Sequence, residues 1–335
     1  MVSGTKPDLF SVLPDCLLVL IISFLPFKQS VQTSLLAKRW KNLCRETKNL
    51  VFKESEFLDQ SVVHTETKKS ETRALFFSIM LQWISGFTGN TIETFELCLP
   101  EPVGFEEDIL SLIEFAATKQ TKYLVIDFSI PGPIEPETAS VLHIMIMRTH
   151  LKYIWDISRL LFNLIYVRNL TICPILLEKM IQYCGDPMKN LMKTRHLVIK
   201  THMYKHELAG MTMFLNSCPK LESLTFDTDT TRPMMVSSLF VYILHPKMFW
   251  FNDKTYECLE RTLKAVRVNN FCGHSNDVHV LHYLIRTGRV MERLDLYEAK
   301  GLNNSKRRLV LAAAKEVKGN MKKGSRHLRI TLHNA

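Results

Sequence analysis

The stretch FLNSCPKLESLTFD, residues 214–227, contains a helix end, a stop and a strand start. Pro219 disfavours the helical region at Cys218, so a helix running through His206 to Asn216 is expected to stop at Ser217. Leu221 leads out of the stop. Leu224 and Phe226 then alternate with polar residues, the period of a strand with one buried face. Cys218, between helix and strand, reads as a packed thiol rather than a reactive one.

The same alternation recurs along the chain, in ETFELCL (93–99), KYLVIDF (122–128), RNLTICP (168–174), RHLVIKT (195–201), KAVRVNN (264–270), ERLDLYE (292–298) and RHLRITL (326–332). Four of the seven steps between successive pieces lie near 28 residues, and two are longer, as if carrying insertions. Helical patterns lie between strands, as at His206 to Asn216 and Val278 to Arg286. One strand and one helix per 20 to 29 residues is, roughly, the leucine-rich-repeat period. The fold class expected is α/β, with parallel strands and outer helices forming an irregular arc, or solenoid. The Asn/Cys ladder position of regular repeats is not cleanly kept. Two segments fit the period poorly. PGPIEPE (131–137) reads as a proline-rich loop, and 232–257, rich in Met and aromatics, as either a packed insertion or an apolar surface meeting a partner, the first favoured because large exposed apolar patches are rare on monomers.

The N-terminal stretch LPDCLLVLIISFLPFKQSVQTSLLAKRWKNLC, Leu13 to Cys44, follows a different pattern. Its apolar run, Cys16 to Leu25, has the length of a signal-peptide core. The flanks argue against a leader. Asp8 and Asp15 precede the run with only Lys6 for positive charge, and Pro26-Phe27-Lys28 follows where small residues are needed for cleavage. Pro14 and Asp15 suit a helix start. Val31, Leu35, Leu36 and Trp40 begin a second helical pattern. The first helix is apolar almost all round, and such a helix must be buried on more than one side. A unit of about 40 residues rarely supplies that cover itself. Another part of the chain, or another protein, is expected to provide it.

These residues resemble the plant form of the F-box over 8–44. The resemblance rests on Asp8, Ser11, Leu13-Pro14-Asp15, Leu17-Leu18, Ile21, Ser23-Phe24-Leu25-Pro26, Lys28, Thr33-Ser34, Leu36 and Lys38-Arg39-Trp40. Cys44 departs from it, standing where that pattern has Trp. The element at 214–227 is similar to one in plant F-box leucine-rich-repeat proteins. Residues 258–297 are similar to the FBD region of such proteins, through Cys258, Leu259, Leu263, Val266, Val268, Phe271, Gly273, Leu281, Tyr283, Leu284, Met291 and Leu294. The resemblance implies a three-helix F-box at 8–53, a connecting segment at 54–72 and irregular repeats at 73–335, with 258–335 FBD-like. It implies docking on a Skp-type adaptor, and through it a cullin, with Leu13, Pro14, Leu17, Ile21, Leu25 and Trp40 as contacts or as supports holding the three helices together. The function implied is that of a substrate receptor in an SCF-type ubiquitin ligase, a non-catalytic subunit in cytoplasm or nucleus.

Side chains alternate along a strand, so in each L-x-L the middle residue faces away from the core. That nominates Glu96, Thr171, Val198, Thr225, Arg267 and Asp295, with Asp127 after Ile126, as target-facing. Their mixed charge names no target, and each also reads as an ordinary solvent-facing residue. Two other function classes stay open: an adaptor-bound protein acting outside a ligase, and a secreted repeat protein glycosylated at Asn169 and Asn303.

Composition narrows the classes further. The 335 residues are 46% hydrophobic and 23% charged, ordinary for a globular chain with a sizeable core. No run of about 18 apolar residues occurs, so a membrane-spanning helix is not expected. Of the net charge of +10, +9 falls between Lys300 and Ala335. This is a near-neutral body with a basic end, not a uniformly basic nucleic-acid binder. LVLAAAKEVK (309–318) reads as a helix and HLRITL as a last strand, so the basic end is a structured cap. Eight cysteines without a CxxC pair suggest buried thiols in a reducing compartment. His202 and His206 lack an HExxH frame and read as surface histidines, and Cys272, His274, His279 and His282 offer one thiol only. No phosphate-loop, dinucleotide or nucleophile-elbow motif occurs, so neither metal nor cofactor is expected.

Overall fold

Short helices alternate with parallel strands throughout the computed structural model, which describes residues 9–57, 66–100, 104–128, 164–174, 176–177, 192–228, 255–319 and 323–334. The chain divides into two compact units, Met1–Leu99 with Glu107–Val125, and Pro100–Glu106 with Ile126–Ala335.

The first unit opens with helices α1 (Leu9–Val12), α2 (Asp15–Ser23), α3 (Phe27–Thr33) and α4 (Lys38–Leu43), then strand β1 (Asn49–Lys53). Pro14 and Pro26 each stand directly before a helix, where a missing N–H costs nothing. Helix α5 (Glu66–Ser85), strand β2 (Thr94–Cys98), helix α6 (Glu106–Thr118) and strand β3 (Tyr123–Asp127) follow. β1 and β2 pair in parallel, Leu50 opposite Phe95 and Phe52 opposite Leu97. The stretch 8–53, expected as the F-box, includes β1 and closes with it at Lys53. The connection expected at 54–72 holds a 3-10 turn, Glu54–Glu56, and the first turns of α5. The cause is tertiary. Arg73 on α5 forks onto the buried Glu54 carboxylate, Nε at 2.5 Å and Nη2 at 3.1 Å, and fixes a polar helix start. Phe27 packs between Phe52 (4.6 Å between ring centres) and Trp83 (5.2 Å), joining α3 to β1 and α5.

The second unit contains strands β4 (Asn169–Ile172), β5 (His196–Thr201), β6 (Ser223–Thr228), β7 (Ala265–Phe271), β8 (Arg293–Glu298) and β9 (Arg329–His333). Helices α7 (Lys205–Ser217), α8 (Glu257–Arg261), α9 (Ser275–Thr287) and α10 (Asn304–Gly319) lie between them. Helix α7 stops at Ser217, as Pro219 requires. Each strand pairs in parallel with the next in chain order from β4 to β9. All eight alternating segments of the sequence are strands. One core row, Ile172, Ile199, Phe226, Val268 and Leu296, stands in register and is fully buried. A hydrogen bond recurs at the foot of each step: Arg195 N–H to Arg168 O (2.8 Å), Glu222 to Arg195 (2.7 Å), Lys264 to Glu222 (2.9 Å), Glu292 to Lys264 (2.8 Å) and Arg329 to Glu292 (2.9 Å). The same handover occurs in the first unit, from Glu93 to Lys48 and from Tyr123 to Glu93.

Helices α9 and α10 bury Val278, Leu281, Leu284 and Val310, Ala313, Val317 respectively. Gly273, in the turn before α9, has φ +73°, and a Cβ there would stand 2.8 Å from that of Ala313. Cys218 is buried beside Met192, and desolvation holds Cys258 near a pKa of about 12, so both are packing groups. The loop expected at 131–137 and most of the insertion expected at 232–257 lie outside the described residues.

Helix α7 touches the backbone of Leu177 at Gly210, where an added Cβ would collide with the carbonyl oxygen and lie 2.7 Å from the Cα. Gly210→Ala is expected to cost about 1–3 kcal/mol, read as a lower urea midpoint. The buried Asp277 carboxylate accepts the His274 N–H at 3.2 Å, and desolvation raises its pKa from 3.8 to about 6. A raised pKa gives stability that is complete below pH 3.8 and lost as pH rises through about 6. Asp277→Asn cannot ionise, so raising pH from 4 to 7 is expected to shift its stability relative to the parent upward by on the order of 3 kcal/mol, read from paired urea titrations.

Candidate functional site

The N-terminal helices bury one apolar set and expose another. Leu18, Val19, Ile22, Leu43 and Cys44 form a core, with Leu13 and Trp40 packed on it. Cys44 therefore sits inside, where its Sγ donates to Lys41 O at 3.3 Å. Arg39 on α4 reaches the start of α2, with Nε 2.7 Å from Asp15 Oδ1 and Nη2 2.5 Å from Leu13 O. Ser23 ties α2 to the chain before β1: its hydroxyl donates to Val19 O at 2.7 Å and accepts from Thr47 Oγ1 and Lys48 N, both at 3.1 Å.

Outside this core the helices remain apolar. Val12, Phe24, Leu35 and Leu36 are 78%, 76%, 84% and 70% exposed, and Phe10, Leu17, Leu20 and Ile21 are also exposed. Of the six residues nominated for an adaptor, Pro14, Leu17 and Ile21 are exposed, while Leu13, Leu25 and Trp40 are half-buried. Trp40 meets the exposed Phe10 ring edge to face at 6.0 Å. Val12, Leu20, Phe24 and Leu35 had not been singled out for contact. The signal for them was available: a helix apolar all round has a second face, and Leu35-Leu36 precede a break at Ala37.

The strands carry the second candidate surface. Thr171, Val198, Thr225, Arg267 and Asp295 form one register row, continued by Thr331, on the face opposite the core row. Glu96 is half-buried on β2 and meets Lys53 Nζ at 3.3 Å. Asp127 stands outside the row of five and holds Lys200 Nζ at 2.5 Å. Residues two apart share a strand face, so Lys200, Asp227, Arg293, Tyr297, Arg329 and His333 flank the row as well.

The expected surface position of His202 is corrected. Its side chain is 8% exposed, with Nδ1 3.1 Å from Glu207 Oε1. Glu207 is fully buried and needs donors, which the Thr201 hydroxyl and the His202 N–H (3.0 Å) also supply. His282 is held below its ordinary pKa by desolvation. Among the described residues no group of three His, Cys, Asp or Glu side chains could hold a metal ion. No described helix is long and apolar enough to cross a membrane.

The division between core and exposed faces assigns separate roles to adjacent residues. Ile22→Ala is expected to cost about 2–5 kcal/mol of stability. Phe24→Asp is expected to stay within about 0.5 kcal/mol of the parent. Urea unfolding followed by tryptophan fluorescence checks both.

Residues 10–52 match the F-box domain. An F-box protein of Arabidopsis thaliana is 29% identical over 471 aligned positions, covering 99% of this chain and 100% of the relative. A putative F-box/LRR-repeat protein of the same plant is 28% identical over 466 positions, 97% of this chain and 98% of its own length. A putative FBD-associated F-box protein, also from Arabidopsis thaliana, is 25% identical over 231 positions, 67% of this chain and 40% of the relative. None of these names states an enzyme activity. Both longer alignments exceed the 335 residues of this chain, so these relatives carry internal segments that it lacks.

Proposed function

We propose that this F-box-bearing chain is the substrate-receptor subunit of an SCF-type ubiquitin ligase. The carrying observation is the apolar surface that α1 to α4 leave open after their own core is complete. Fully burying an exposed Leu, Ile or Phe side chain is worth about 1.5–3 kcal/mol, so a partner covering the exposed parts of Leu17, Ile21, Phe24 and Leu36 gains a share of that at each, set against the cost of association. The F-box domain gives that partner its chemistry: a Skp-type adaptor, which carries a cullin. In this reading the half-buried Leu13, Leu25 and Trp40 support the contact, and Pro14, Leu17 and Ile21 make it.

The strands belong to an irregular leucine-rich-repeat arc. The repeated carbonyl handover and the parallel pairing in chain order support this, as does the difference in length from relatives that align end to end. A repeat array accepts or loses internal units because each contacts only its neighbours. The open strand face holds a target protein, with Glu96, Thr171, Val198, Thr225, Arg267 and Asp295 facing it and Asp127 beside them. No residue of this chain performs bond chemistry. Holding a target beside a ubiquitin-charged enzyme raises its effective concentration there, which is the whole catalytic contribution. Such a role belongs to the cytoplasm or nucleus.

Leu17→Asp with Leu36→Asp tests the docking face while sparing the core. Pull-down of a Skp-type adaptor by the double variant is expected to disappear, with circular dichroism unchanged. Adaptor retained at the parental level would remove the F-box surface from the interface. Recovery of adaptor without cullin from cells would support a role outside a ligase.

A further inference from the structure

The basic side chains flanking the strands are mostly neutralised across to a neighbour. Lys53 meets Glu96, Arg195 meets Glu222 at 3.0 Å, Lys200 meets Asp127 and Lys264 meets Glu292 at 3.7 Å. One step between β8 and β9 breaks this pattern. Arg293 on β8 and Arg329 on β9 are register partners, both exposed, and neither has an ion pair among the described residues. Like charges directly opposite on neighbouring strands oppose folding, so a bare Arg–Arg step is a cost unless something anionic covers it.

The same face carries a built floor four residues further along. Tyr297 and His333 are stacked, 4.4 Å between centres and 12° apart. His333 Nε2 lies 3.1 Å from Asp295 Oδ1, which engages the carboxylate nearest the arginines. Arg267 lays its guanidinium 4.9 Å above the Tyr297 ring. An arginine stacked in this way keeps its N–H edge outward and pre-organised for a carboxylate. Tyrosine and arginine are also the residue types that dominate binding energy at interfaces.

We propose that the open face of β7, β8 and β9 takes an acidic, glutamate- or aspartate-rich extended segment of the target. Arg293 and Arg329 hold one carboxylate, Arg267 the next, and Tyr297 carries the intervening chain. Three arginines against one engaged aspartate make the face complementary to a polyanionic strand. The peptide's origin in a target rests on the receptor reading above, whereas the surface itself does not.

The test uses the full chain and a fluorescein-labelled peptide of alternating glutamate and serine, read by fluorescence anisotropy. Binding at low salt is expected, weakening as salt is raised. Reversal at Arg267→Glu, Arg293→Glu and Arg329→Glu is expected to weaken it about tenfold or more, and reversal at Lys315→Glu and Lys318→Glu on α10 to leave it unchanged. Three outcomes overturn the proposal: no binding at low salt, binding indifferent to the three arginines, or loss of binding through α10 instead. A phosphoserine peptide or a single-stranded RNA that binds through these arginines where the glutamate peptide does not also overturns it. Adaptor pull-down by the arginine variants separates the two readings. Adaptor kept while the peptide is lost supports both, and adaptor absent from the parent chain counts against the receptor reading alone. Far-ultraviolet circular dichroism and the urea midpoint confirm that the exposed substitutions leave the fold in place.

Discussion

The interior row Ile172, Ile199, Phe226, Val268 and Leu296 is the constraint from which the second unit follows. Each residue is fully buried and stands in register with the next, so a one-residue slip in any strand would turn an apolar row outward and a polar one inward. Register fixed in this way brings residues far apart in the chain into single file on the opposite face. Parallel order also forces a crossover between strands, and α7, α9 and α10 are such crossovers. Their buried stripes cover the core while the other strand face stays accessible. Chemistry on that face is therefore set by alternate residues, and the arginine-rich end arises from three of them.

A second constraint operates in α2. Leu18, Val19 and Ile22 satisfy the module's own core, and Leu17, Leu20 and Ile21 are left over. Polar fastening makes this arrangement rigid. The Ser23 hydroxyl gathers three hydrogen bonds and Arg39 clamps the opposite end. Hydrogen bonds to a buried hydroxyl are costly to leave unmade, so the docking helix is held by groups that contribute nothing to its exposed face. Cys44, where the plant F-box pattern has tryptophan, lies in the same core and not on the exposed face. Its effect on docking therefore runs through packing.

The strands were legible because alternation is a local signal, and all eight segments read from it are strands. β1 escaped notice although Leu50 and Phe52 alternate, because NLVFK is short and abuts a helical module. Helix α5 was hidden by its polar start, and what fixes it is the Glu54–Arg73 pair, a contact between distant residues. His202 was misread for a similar reason: its burial is required by Glu207, an acid whose own burial leaves no trace in spacing. On the candidate surfaces, the middle-of-pair rule found the register row but not the flanking Arg293, Arg329 and His333. Resemblance named the docking helices yet could not divide contact from support, because that division depends on which side of α2 the core occupies.

The parallel pairing of β1 with β2 also has a bearing on the order of synthesis. Helices α1 to α4 precede β1 in the chain, and β1, which continues directly from them, has no β2 partner until Thr94 to Cys98 has left the ribosome. Between the two lies α5, whose Arg73 neutralises the buried Glu54. During that interval a growing chain presents an unpaired strand edge and an uncovered apolar helix face together, a combination prone to premature association. Pairing of β1 is thus tied to elongation past the second strand, whereas the helices' own core, Leu18 to Cys44, is already in hand before it.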